Sequence, residues 1–169
     1  MSAKTPQQRL IDLLEDFSTG MLVTRSPANA LHARPMAMAQ IEPSGVLWFA
    51  TDRTSGKIDD LRFDAQANVS LQGGGKFVSL SGTARTVDDA AKIDEVWNEE
   101  MRVWFPGGKQ DPRLTLLCFE PHEGEFWDNS GTNAIKYLFK AGAAYLRGER
   151  PTDDETEHGK VAMPAAPTR

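Results

Sequence analysis

The 169-residue sequence predicts an α+β protein built on an antiparallel β-barrel, with helices inserted at its sides. Three observations point there. About six short segments have strand-like patterning and are joined mostly by hairpin-type turns. Between them stand separate blocks with apolar residues at helical spacing. The composition, 40% hydrophobic and 25% charged, is that of a globular chain long enough for one core.

Thr5-Pro6-Gln7-Gln8 reads as a capping box with proline at the first helical position. Leu10, Ile11, Leu13, Leu14 and Phe17 follow at helical spacing, so a helix is expected to end near Gly20. From Met21 the period changes. Strands are expected at Met21–Arg25, Leu31–Ile41 and Val46–Thr51, parted by Ser26-Pro27-Ala28-Asn29 and by the tight turn Glu42-Pro43-Ser44-Gly45. A short helix should follow Thr54 or Ser55, burying Ile58 and Leu61 and carrying Asp59 and Asp60 in its early turns.

Asn68–Gln72 and Lys76–Thr86 form a further hairpin around Gly73-Gly74-Gly75. Residues 88–104 predict the strongest helix, with Ala90, Ile93, Val96, Trp97, Met101 and Trp104 on one face and Pro106-Gly107-Gly108 as its stop. Strands Thr115–Glu120 and Glu125–Asp128 flank Pro121-His122-Glu123-Gly124, read as a turn, and a last helix is expected from Asn133 towards Arg147. The folded domain is thus assigned to residues 1–147. Residues 148–169 hold Asp153, Asp154, Glu155, Glu157 and three prolines, and are expected to be a disordered acidic tail.

Several function classes are excluded early. Nineteen basic against 24 acidic residues leave a net charge of −5, which argues against nucleic acid as the main partner. No apolar run approaches the roughly 20 residues that span a bilayer, so no membrane partner is expected. Met1 to Arg9 carries no signal-peptide core, and the single Cys118 excludes an internal disulfide, so a cytoplasmic setting is expected. Gly73-Gly74-Gly75 joins two strands and opens no helix, which removes a dinucleotide loop. Gly56-Lys57 resembles the end of a P-loop, but Thr51 replaces the upstream glycine and Ile58 the Ser/Thr. Cys118, within Leu116-Leu117-Cys118-Phe119, reads as a buried structural thiol. His32, His122 and His158 are isolated, and no metal site is expected.

One constellation could carry chemistry. Arg34 lies on a long strand, and Thr51, Ser55 and Lys57 fall on the next strand end and helix start. Two hydroxyls, a lysine and unpaired backbone N–H groups in one place suit a phosphate, and Gly56 would allow close backbone approach. An N-cap serine followed by a surface lysine has the same pattern, and the residues alone leave both readings open.

Arg34-Pro35-Met36-Ala37, Leu47-Trp48-Phe49-Ala50-Thr51, Ser55-Gly56-Lys57, Asn68-Val69-Ser70-Leu71 and Phe77-Val78-Ser79-Leu80-Ser81-Gly82-Thr83-Ala84 occur in that order. Trp104-Phe105-Pro106-Gly107-Gly108, Asp111-Pro112 and Glu125-Phe126-Trp127-Asp128 follow. Over about residues 5 to 147 this series resembles the pyridoxamine 5′-phosphate oxidase-like, flavin-binding split-barrel superfamily, in its bacterial general stress protein branch. The resemblance implies an FMN-binding split β-barrel with flanking helices, assembled as a homodimer with two flavin sites at the interface. The cofactor would be FMN, or FAD, and the function redox-related and linked to stress.

It further implies that Arg34, with Pro35 and Met36 beside it, and Ser55 and Lys57 meet the flavin phosphate. The backbone at Ala50 and Thr51 would run along the flavin ring. Phe77 falls near the position from which a partner subunit reaches the ring, with Trp127 beside it. Two departures bear on activity. Pyridoxamine phosphate oxidases have Ser-Arg-Lys in place of Ser55-Gly56-Lys57, and end in a basic, Trp- and His-containing segment where this chain, from Thr152 to Arg169, is acidic. Vitamin B6 oxidation is therefore not expected, and no catalytic acid or base is named. The alternatives are a flavin carrier or sensor without turnover, or a barrel that binds haem or a deazaflavin near Met21, Met36 and Met38.

Overall fold

A computed structural model of the chain describes residues 4–130, 147–148 and 158–163. The elements run α1 (Pro6–Leu14), β1 (Thr19–Arg25), β2 (Leu31–Ile41), β3 (Leu47–Asp52), α2 (Gly56–Phe63), β4 (Gln66–Gly73), β5 (Lys76–Val87), α3 (Ala90–Val96), β6 (Leu114–Asp128) and β7 (His158–Ala162), with two 3₁₀ turns between α3 and β6. Strands β3-β2-β1-β4-β5-β6 lie side by side, all antiparallel, and β3 pairs with β6 to close a six-stranded barrel. Closure pairs Leu47–Asp52 of β3 with Leu114–Phe119 of β6. The predicted class, an α+β antiparallel split barrel with flanking helices, is the one observed. No helix among the described residues is long and apolar enough to cross a membrane.

The capping box forms as read: Thr5 Oγ1 accepts from Gln8 N at 3.2 Å, and Gln8 Oε1 accepts from Thr5 N at 3.0 Å. Helix α1 stops at Leu14 rather than near Gly20, because Thr19 and Gly20 already pair with β2. Its Leu10 and Leu14 are fully buried, and Leu10 presses on β6 where a Cβ at Gly124 would come within 2.3 Å of it. The β4–β5 turn places Gly74 and Gly75 at φ 58° and 80°, values that glycine adopts without strain. The barrel interior is filled by Leu22, Leu47, Phe49, Val69, Leu80, Leu117 and Phe119. A second, smaller cluster of Val46, Trp48, Val96, Leu116 and Cys118 lies beneath α3. β3 and β6 are buried on both faces by these two clusters. That explains their continuous apolar runs. Burial pushes the Cys118 thiol up to about 11, which keeps it protonated.

Three expectations are corrected. Residues 88–104 are not one helix. Trp97 is extended at ψ 133°, and Asn98 caps a separate 3₁₀ turn (Glu99–Val103) by accepting from Met101 N. Trp104, read as part of a buried face, is 75% exposed. Pro121-His122-Glu123-Gly124 is not a turn but the middle of the 15-residue β6. One extra residue, His122, is accommodated where Gly82 faces Pro121 and Ser81 faces Glu123. Pro121, which has no N–H to donate, falls between the stretch paired with β3 (114–119) and the stretch paired with β7 (123–127).

The third correction concerns part of the expected disordered tail, most of which lies outside the described residues. Its residues 158–162 form β7, antiparallel to β6, and Val161 and Met163 are buried in the main core beside α1. Two apolar side chains sufficed to anchor a strand that the acidic composition obscured. The expected last helix lies, but for Arg147, outside the described residues.

Candidate functional site

Helix α2 follows β3 directly and covers one end of the barrel against β1 and β5. The turn between them is tied by Asp52 Oδ1, which accepts from Thr54 N at 2.8 Å and from Thr54 Oγ1 at 2.7 Å. These bonds hold the Asp52 carboxyl below its usual range. Ser55 occupies the N-cap position, yet its side chain makes no capping bond. Instead Lys57 Nζ donates to Ser55 Oγ at 2.5 Å and to Thr51 Oγ1 at 2.9 Å. Burial and the neighbouring charge of Arg34 lower the pKa of Lys57. The charge of Arg34 thus reaches Lys57 in a partly desolvated place, an arrangement that favours an anion nearby.

Arg34 points inward, on the same side as its cross-strand partner Leu22. Its Nη1 donates to Thr24 Oγ1 at 2.6 Å and its Nη2 to Asp60 Oδ2 at 3.3 Å. Thr24 in turn donates to Asp60 Oδ2 at 2.7 Å, and His32 Nδ1 lies 3.2 Å from the same oxygen. Burial alone would push the Asp60 carboxyl up. The hydrogen bonds from Thr24 and His32, with the charges of His32 and Arg34, outweigh it and bring the pKa below the ordinary value.

Of the four side chains read as a possible anion site, the fold brings Thr51, Ser55 and Lys57 into contact, and the charge of Arg34 acts on Lys57. A Cβ at Gly56 would meet nothing within 4 Å, so packing does not require glycine there. Pro35 is exposed opposite Met21, whereas Met36 is buried in the main core and offers a ligand only its backbone. Ala50 packs with the cluster beneath α3, on the strand face opposite Thr51.

Phe77 and Trp127 are cross-strand neighbours elsewhere. They line a surface cleft of about 430 Å³ with Met21, Ser70 and Ser79. Along β5, Phe77 is exposed while Val78 and Leu80 are buried, so Phe77 faces away from the barrel interior. No residue of this cleft belongs to the Lys57 cluster, and Met21 points outward where Leu22 and Thr24 point inward. The sequence reading missed Thr24, His32 and Asp60 as site residues. Nothing local in the sequence marks any of the three as facing inward.

Comparison with known proteins bears on this geometry. Residues 5–152 match the family model described as pyridoxamine 5′-phosphate oxidase like. The chain is 33% identical over 133 residues to the bli-3 protein of Neurospora crassa, covering 69% of this chain but 64% of that protein's length. It is 24% identical over 128 residues to general stress protein 26 of Bacillus subtilis, covering 73% of this chain and 89% of the relative. Among solved structures it is similar to the general stress FMN/FAD binding protein of Xanthomonas citri, with 31% identity and a TM-score of 0.65 over 74% of this chain and 89% of the other. The closed barrel, the order of its motifs and the match across most of its length place the chain in the pyridoxamine 5′-phosphate oxidase-like family.

Proposed function

We propose that this protein binds a flavin and works in redox chemistry linked to stress response. The observation that carries the reading is the pair of cations, Lys57 and Arg34, gathered with the hydroxyls of Thr51 and Ser55 at the start of α2. This donor set matches the phosphate monoester of FMN, for which charge-assisted bonds and a helix start are both favourable. In FAD the same phosphate is joined to a second one through a pyrophosphate linkage and carries less charge; FMN fits the two cations better. The similarity to the Xanthomonas citri FMN/FAD binding protein supports the same ligand class.

When bound, the flavin supplies hydride or electron transfer. The chain's own work in this reading is positional. Arg34, Ser55, Thr51 and Lys57 hold the phosphate, and the β3 backbone at Ala50 and Thr51 runs beside the ring. The outward-facing Phe77 and Trp127 line a cleft that shares no residue with the Lys57 cluster of their own chain, which supports a homodimer in which a second copy supplies cover for the ring. The absorption spectrum of protein purified without added cofactor, and again after loading with FMN, tests the ligand class. Flavin bands that stay with the protein through gel filtration are expected; their absence after loading removes the reading.

A further inference from the structure

We infer that Asp60 is a positioning residue for Arg34: it fixes the guanidinium so that its remaining N–H groups face the anion held by Lys57. The inference rests on the phosphate-site reading above and names how that site is kept in register.

Arg34 is anchored on one edge only. Nη1 donates to Thr24 Oγ1 at 2.6 Å and to the Leu22 carbonyl at 3.4 Å, and one N–H of Nη2 goes to Asp60. Nε and the second N–H of Nη2 make no hydrogen bond among the described residues. A guanidinium is a rigid planar fork, so fixing one edge aims the other. The anchor is itself held firmly. Asp60 is 6% exposed, on the inward face of α2 beside Ile58 and Leu61, and Thr24 is 1% exposed. Thr24 bridges the pair, accepting from Arg34 and donating to Asp60, so its one hydroxyl proton and one lone pair are both used.

A buried carboxylate beside an anion site would otherwise be unfavourable, because it repels the ligand and cancels the arginine's charge. Two opposite consequences follow from removing it. Loss of repulsion alone would tighten anion binding. Loss of aim would weaken it. The network on Asp60 Oδ2 favours the second, since Thr24 and His32 hold in place the oxygen to which Arg34 donates.

The test uses the full-length apo-protein and titrates it with FMN and with riboflavin, which share the ring and differ in the phosphate. The readout is the ratio of the two dissociation constants, which a general loss of structure does not shift in favour of either ligand. In Asp60→Asn the preference for FMN should fall about tenfold, the size typical of losing an orienting partner behind a ligating side chain. Thr24→Val, which leaves the charge unchanged and guards against a misfolded Asp60 variant, should lower it in the same direction. In an Arg34→Ala background, Asp60→Asn should lower the preference no further, because its effect runs through Arg34. A preference unchanged or increased in both single variants, with Arg34→Ala still losing it, overturns the role of Asp60 and leaves the phosphate site intact. A wild-type protein that does not distinguish the two ligands overturns the phosphate site, and this role with it.

Discussion

The Nζ of Lys57 lies 2.5 Å from the hydroxyl of Ser55, the residue that stands at the N-cap of α2 but does not cap it. A serine there ordinarily accepts from a backbone N–H in the first turn, a contact whose loss costs about 1 kcal/mol. Here it accepts from the lysine instead, while the Ile58 N–H of that turn donates to the Ser55 carbonyl at 2.9 Å. Thr51, Ser55 and Lys57 therefore form one polar patch at the helix start, with Arg34 as the second cation.

The Asp60 network makes stability pH-dependent. The folded carboxyl titrates below its ordinary value of 3.8, so its contribution is fully present above that value and is lost as the pH falls through the folded pKa. Urea denaturation should show wild type more stable than Asp60→Asn at neutral pH, with the gap closing below about pH 4. A gap that stays constant down to acid unfolding would show that the carboxylate is not held by its partners.

Strand β7 should be needed for stability, contrary to what its acidic surroundings led the sequence to predict. Truncation after Glu157 re-exposes the pockets filled by Val161 and Met163, which lie 7% and 6% exposed. At about 1.5–3 kcal/mol for burying each such side chain, the loss should be at least about 2 kcal/mol. Thermal melts of the full and shortened chains decide it, and equal melting temperatures would contradict the strand.

Two glycines make a matched pair. A Cβ at Gly82 would stand 2.1 Å from the Glu120 carbonyl oxygen and 2.8 Å from Pro121 Cα, so Gly82→Ala should cost about 3 kcal/mol by forcing backbone apart. Gly56→Ala has open space at the first position of α2 and should range from neutral to about 1 kcal/mol stabilising. Chemical denaturation of both variants checks the contrast.

If a second copy covers the ring, FMN should promote the dimer. Sedimentation is expected to show a dimer, and its melting temperature should rise with FMN concentration because the ligand binds the assembled form. Phe77→Ala should weaken flavin binding while leaving the FMN-over-riboflavin preference unchanged. A monomer that binds flavin with undiminished affinity would leave Phe77 without a role.

The barrel was legible because β4 and β5 each carry an inward apolar set, Ala67, Val69 and Leu71 on one and Val78, Leu80 and Ala84 on the other, that only one register satisfies. The four side chains of the anion site were legible because three of them fall within seven residues, Thr51 to Lys57, and the fourth lies on the strand before. Asp60 was not. Its burial depends on Thr24 and His32, which lie 36 and 28 residues away in sequence, and nothing local marks a carboxylate as inward-facing. The break at Trp97 and the continuity of β6 through Pro121 were hidden for a related reason. A cap at Asn98 overrode helical spacing in the first, and a gap between two partner strands tolerated proline in the second. The strand at 158–162 was lost in a window whose charge averaged out its two apolar anchors.

The most direct measurement is calorimetric titration of the full-length apo-protein with FMN and riboflavin, repeated with Lys57→Met. Wild type should bind FMN at least about tenfold more tightly than riboflavin, and Lys57→Met should remove about 1.5–3 kcal/mol of FMN affinity while leaving riboflavin nearly unchanged. Equal affinities of the wild-type protein for the two ligands, or a Lys57→Met variant that binds FMN as well as wild type, would contradict a phosphate site at the start of α2.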